Sequence, residues 1–166
     1  NMLEQIKKAN FPILNGNLFF EGTDDLVWDN PYLILERAGL KIGIIGLHGK
    51  FAFYDTINFK MTEGIEARDE EEYLRQYIKE LDPITDIIIL AVHQGMPGRQ
   101  STIGLTDVER NLYKDILLAQ NVPGVDIIVT GHAHQGTEKA LVSNGTIIVS
   151  TNATATELGK LQVMFD

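Results

Sequence analysis

Residues 125–136, VDIIVTGHAHQG, carry a β-branched apolar run straight into two histidines one residue apart. A short, nearly unbroken apolar run reads as a strand covered on both faces. Residues 86–95, DIIILAVHQG, rhyme with it: Asp-Ile-Ile, more apolar residues, a histidine, then Gln-Gly. Two buried strands that end alike are expected to be neighbours in one sheet, used alike, rather than units of a repeat.

Working outward, residues 106–120, TDVERNLYKDILLAQ, predict a helix. Thr106 and Glu109 suit a capping box, and Val108, Leu112, Tyr113, Ile116 and Leu117 make its inner face. Upstream, RDEEEYLRQYIKELD predicts an amphipathic helix with Tyr73, Leu74, Tyr77, Ile78 and Leu81 as its stripe and Asp69 with three glutamates at its start. YLILERAGLKIGIIGL predicts two strands joined through Ala38-Gly39. Nearer the start, FPILNGNLFF reads as a strand bent at Asn15-Gly16, and MLEQIKKAN as the last turns of a helix. Downstream, KALVSNGTIIVS is a hairpin whose Asn144-Gly145 suits a type I′ turn. ELGKLQVMF closes with strand-like alternation of Leu158, Leu161, Val163 and Phe165. Strands alternating with helices predict a layered α/β fold, and the hairpins predict a mixed sheet.

With 44% hydrophobic and 22% charged residues, the 166-residue chain suits one domain with a sizeable core. No linker or low-complexity tract divides it, and no apolar run approaches the ~18 residues of a membrane span. A net charge of −9 opposes binding to a nucleic acid polymer or an anionic lipid surface. A chain so acidic that handles phosphates needs local positive charge, and a metal ion supplies it. There is no cysteine, so any metal would sit in nitrogen and oxygen ligands.

All four histidines, His48, His93, His132 and His134, fall just beyond the carboxyl end of a predicted strand, where ligands of α/β sheets collect. Neutral imidazole is the commonest metal ligand. In an extended His-x-His both side chains share one side, with Cα atoms roughly 7 Å apart, a spacing that serves one metal or each of two. Gly131 would let the backbone turn without a Cβ clash. A lone histidine after a strand is ordinarily a surface or hydrogen-bonded residue, and His48 is read so. His93 alone carries either reading; His132 and His134, beside a second strand ending in histidine, point to metal. Elsewhere, the Asp24, Asp25 and Asp29 loop reads as solvated. The glycine-rich HQGMPGRQST, with Arg99, suits a place near a phosphate but lacks the P-loop pattern. No Ser-His-Asp set or Gly-x-Ser-x-Gly is visible, and the Asn152-Ala153-Thr154 glycosylation triplet is a pattern common by chance.

On these stretches the chain resembles the calcineurin-like metallophosphoesterases, and more narrowly their bacterial 5′-nucleotidase branch, with its UDP-sugar hydrolases and 2′,3′-cyclic-nucleotide phosphodiesterases. IKKANFPILNGN is similar to that branch's LKKANFPxLxxN. KIGIIGL, DIIILAVHQG, VDIIVTGHAHQ and ELGKLQV follow in its order along nearly the whole chain. GHAH is the specific match. The resemblance implies a four-layer αββα sandwich with mixed sheets and two divalent metal ions (Zn, Mn, Fe or Co) at the sheet edge. It makes His93 and His132 ligands of one metal and His134 a ligand of the other. His48, where relatives carry threonine or another small residue, receives no role. The implied activity is hydrolysis of a nucleotide or nucleotide-derived phosphate ester by an exported protein, periplasmic or on the cell surface.

The branch's Asp-x-His, Gly-Asp and Gly-Asn-His-Glu motifs do not occur where its pattern needs them, and its base-stacking C-terminal domain is absent too. Residues 1–166 are therefore expected to be a single-domain fragment, the C-terminal part of the catalytic domain, whose partner is the N-terminal half of the same protein. Three neutral imidazoles bring no negative charge to two dications; the absent carboxylates would. Alone, the chain is expected to be an inactive fragment or structural module. The faces of DIIILAV and VDIIVTG are expected to be open.

Overall fold

Six strands form one mixed sheet in a computed structural model that describes residues 2–27, 29–95 and 106–164. The elements in chain order are α1 (Met2–Ile6), β1 (Leu18–Phe20), β2 (Tyr32–Arg37), β3 (Leu40–His48), α2 (Lys50–Thr56), α3 (Phe59–Thr62), β4 (Ile65–Ala67), α4 (Glu70–Leu81), β5 (Ile87–Gln94), α5 (Asp107–Asn111), α6 (Tyr113–Asn121), β6 (Ile127–His132), β7 (Leu141–Ser143) and β8 (Thr146–Ser150). The sheet order is β2-β3-β5-β6-β8-β7. The four inner strands run parallel, and β2 and β7 pair antiparallel at the edges. A separate antiparallel pair joins β1 to β4.

Local chemistry sets these elements. Asn144 and Gly145, at φ +50° and +83°, make the tight turn of the β7–β8 hairpin. Asp69 accepts from the backbone N–H groups of Glu71 and Glu72 to start α4, and Thr106 and Glu109 form the reciprocal capping box of α5. One face of the sheet buries Ile45, Leu47, Ile88, Leu90, Val92, Ile128 and Ile148 beneath Leu74, Tyr77 and Leu81 of α4 and Leu118 and Ala119 of α6. Each large aliphatic side chain so buried contributes roughly 1.5–3 kcal/mol.

Four expectations need correction. The helix over 106–120 breaks at Leu112 (φ −100°, ψ 19°), so α5 and α6 are separate. The buried face is Leu112, Asp115, Leu118, Ala119 and Val122 rather than Tyr113, Ile116 and Leu117. FPILNGNLFF supplies a strand only over Leu18–Phe20. The segment before it crosses β3, where Gly16 N–H donates to the Gly46 carbonyl at 2.9 Å. Residues 157–164 form no strand, and Leu158 is 95% exposed. Leu161 and Val163 instead lie beside Ile89, Ile127 and Val129 on the sheet's second face. A chain laid over a face, away from an edge, finds no ladder partners there.

The fourth correction concerns exposure. The faces of β5 and β6 toward α4 and α6 are covered, so only the second face is open. There Val129 is 46% exposed, and Ala91 and His93 are exposed as well. The architecture is α/β with a mixed sheet, one face helix-covered and the other partly covered by α2 and the β1–β4 pair. Among the described residues no helix is long and apolar enough to cross a membrane.

Candidate metal centre

Parallel pairing brings the histidines together. β3, β5 and β6 are adjacent, with His48 opposite His93, His93 opposite Gly131, and Gln94 opposite His132. Three strand ends thus place His48, His93 and His132 on one rim. The ring centroids of His48 and His93 are 5.2 Å apart, and those of His93 and His132 are 5.0 Å apart. Nε2 of His93 and Nδ1 of His132 face each other at 3.2 Å. Two nitrogens that each bind one tetrahedral cation at 2.0–2.1 Å stand about 3.3 Å apart, close in length to this gap. With no ion between them, one imidazole donates to the other.

Gly131 matters for proximity rather than for turning. A Cβ there would stand 3.3 Å from Nδ1 of His93. The turn is made by the histidines themselves: His132 has φ +81° and His134 φ +54°, so the His-x-His is not extended. Left-handed backbone at such residues costs of order 1–3 kcal/mol and persists where its surroundings demand it. His134 lies beyond the end of β6 and is exposed, yet near enough for its charge to oppose protonation of His93 and His132.

Desolvation lowers the pKa values of His48, His93 and His132 below the ordinary imidazole value. For His93, the neighbouring imidazoles lower it further. Each shift favours the neutral imidazole, the form that binds metal. His48 donates from Nδ1 to the Gly49 carbonyl at 3.0 Å, which leaves its Nε2 lone pair free. It is a hydrogen-bonded residue, as read from sequence, but it also belongs to the cluster. The signal for it was the third strand end in histidine.

The donor set fits a cation only in part. Among the described residues, no group of three or more His, Asp or Glu side chains is arranged to hold one metal. His93 and His132 present two facing nitrogens, and among the described residues no carboxylate joins them as a third donor.

Behind the rim lies a buried polar pair. Gln94 Nε2 donates to Asp115 Oδ1 at 3.0 Å, and Asp115 is 0% exposed. Burial pushes the Asp115 carboxyl up to about 6, against the lowering contacts of Gln94 and Thr130. Of the other candidates, Asp24 pairs with Arg68 at 2.9 Å at the surface. Asn152 Oδ1 accepts from Gly136 N–H at 2.8 Å. Arg99 and most of its glycine-rich stretch lie outside the described residues.

No family model matches the chain. The 5′-nucleotidase of Vibrio cholerae is 31% identical over 143 residues, which cover 81% of this chain and 24% of that protein. The 2′,3′-cyclic-nucleotide 2′-phosphodiesterase/3′-nucleotidase of Haemophilus influenzae is 26% identical over 145 residues, 81% of this chain and 20% of its own length. The solved calcineurin-like phosphoesterase YfkN of Bacillus subtilis superposes with a TM-score of 0.63 at 26% identity, covering 87% of this chain and 47% of that one. The chain thus spans about a quarter of the length of the curated relatives it matches. Its open sheet face, its rim of histidines and these similarities agree: the chain belongs to the calcineurin-like metallophosphoesterases, in the branch of the 5′-nucleotidases and 2′,3′-cyclic-nucleotide phosphodiesterases, and covers part of their length.

Proposed function

We propose that this chain is the C-terminal half of the catalytic domain of a two-metal phosphohydrolase that cleaves phosphate esters of nucleotides. The 3.2 Å approach of His93 Nε2 to His132 Nδ1 carries the reading. In it, His93 and His132 hold one cation and His134 a second. The bound cations supply positive charge for the phosphoryl group and its attacking oxygen. The chain's own residues do the positioning. The ends of β5 and β6 fix two imidazoles at one separation, and burial favours their neutral form. The carboxylates that balance the charge come from the N-terminal half of the same protein, which also covers the open face of the sheet. The similarity to nucleotidases supports an exported protein and a nucleotide, cyclic nucleotide or nucleotide-sugar substrate.

A second reading concerns the chain by itself. Because no described carboxylate joins the imidazoles, the isolated 166 residues are an inactive fragment with weak metal binding. The two readings describe different objects.

The full-length protein is expected to release phosphate from nucleotide esters with Mn²⁺, Co²⁺ or Zn²⁺ and to lose that activity in chelator. Failure to hydrolyse any nucleotide monoester, cyclic nucleotide or nucleotide sugar under those conditions would overturn the enzymatic reading.

A further inference from the structure

The mechanism above does not use Asp115, although its place in the fold is unusual. It sits on the inner face of α6, fully buried among Leu112, Leu118 and Ala119. Its Oδ1 accepts from Gln94 Nε2, and its Oδ2 has no hydrogen-bond partner. A carboxyl buried with one oxygen unpaired costs stability.

What Asp115 does hold is Gln94. That glutamine is 3% exposed, follows His93 directly and stands opposite His132 across the ladder. It is constrained from three sides. Asp115 holds its amide, and Thr130 Oγ1 donates to its carbonyl at 3.4 Å. Gly49, at the entry to α2, leaves so little room that a Cβ there would lie 2.5 Å from Gln94 Cβ. Gly49 N–H also donates to the His93 carbonyl at 3.0 Å. The ends of β3, β5 and β6 therefore meet at one clamped side chain directly behind the paired imidazoles.

We infer that Asp115 is a positioning residue: through Gln94 it holds the ends of β5 and β6 at the separation that lets His93 and His132 share one cation. The inference rests on the metal-binding reading above. Asp115 touches neither imidazole and acts only through the strand end that carries His93.

The test uses the full-length protein and its Asp115→Leu, Asp115→Asn and Gln94→Leu variants. Two readouts are taken: Co²⁺ titration followed by visible absorption, and the imidazole ¹H–¹⁵N correlation spectrum of the metal-free protein. Asp115→Leu leaves the buried Gln94 amide without its acceptor, so it is expected to unfold somewhat more easily than wild type and, while folded, to bind Co²⁺ about 10–100-fold more weakly, the usual loss when a ligand's support is removed. Its His93 and His132 ring signals should move. Asp115→Asn keeps an accepting oxygen and should retain affinity within about threefold, a rescue that packing alone would not produce. Gln94→Leu breaks the same link from the other end and should lose Co²⁺ affinity like Asp115→Leu, so a poorly folded Asp115→Leu still leaves a decisive variant. Wild-type Co²⁺ affinity and unshifted ring signals in Gln94→Leu, or in folded Asp115→Leu, would overturn the inference alone. A wild-type protein that binds no Co²⁺ would overturn the metal reading and this inference with it.

Discussion

His132→Ala is expected to weaken binding of the first divalent cation by the full-length protein by about 100-fold or more. Outer-sphere partners of metal ligands cost 10–100-fold when removed, and a direct ligand sets a larger loss. The geometry makes the direction firm. Nδ1 of His132 stands 3.2 Å from Nε2 of His93, so removing either ring halves the grip that this chain supplies. The fold should survive, because His132 lies at the last position of β6 and belongs to neither buried cluster. Calorimetric titration with Zn²⁺ or Mn²⁺, beside a thermal melt, separates the two effects. Unchanged affinity in a folded variant would remove His132 from the ligand set.

Gly46→Val is expected to destabilise the fold by about 3 kcal/mol or more, the upper range for forcing bulk into a packed site. Gly46 lies in β3 where the segment carrying Leu14 crosses the second face of the sheet. An added Cβ would stand 2.6 Å from the Leu14 carbonyl carbon and 2.5 Å from its Cβ. The obstacle is backbone, so no rotamer change relieves it. Gly46 also bonds to the crossing through its carbonyl, which accepts from Gly16 N–H at 2.9 Å, while its N–H donates to the Pro31 carbonyl at 3.0 Å beside the β2–β3 pair. Valine would push the crossing off the strand and break the Gly16–Gly46 bond. Urea unfolding measures the loss, and a change below about 1 kcal/mol would mean that the crossing yields more easily than its contacts require.

What was legible in the sequence follows from how local each signal is. The apolar runs of β5 and β6 announce buried strands, and the Asn144-Gly145 and Thr106/Glu109 patterns announce a turn and a cap, because each depends on a few adjacent residues. The break at Leu112 was hidden: the apolar residues around it continue a helical period, and only the observed backbone angles interrupt it. Asp115 was missed because a carboxylate three residues after Leu112 shares its face but carries no apolar signal. His48 joins the cluster through parallel pairing of β3 with β5, and no local pattern reports which strands pair. Residues 157–164 alternate like a strand, but alternation does not create a partner, and they lie over a face instead of along an edge. The likeness of the two His strands carried the site furthest. It placed His93 and His132 together correctly while misjudging the backbone of His132 and His134, which turns left-handed where an extended pair was expected.

The most direct measurement is a crystal structure of the full-length protein grown with Co²⁺ or Zn²⁺, with anomalous scattering to locate each ion. The expected result is one ion bonded to both His93 Nε2 and His132 Nδ1 at about 2.0–2.1 Å, with a second beside His134 and carboxylates from outside this chain completing both. Ions bound elsewhere, or a single ion that reaches only one of His93 and His132 while their nitrogens stay hydrogen-bonded to each other, would contradict the account.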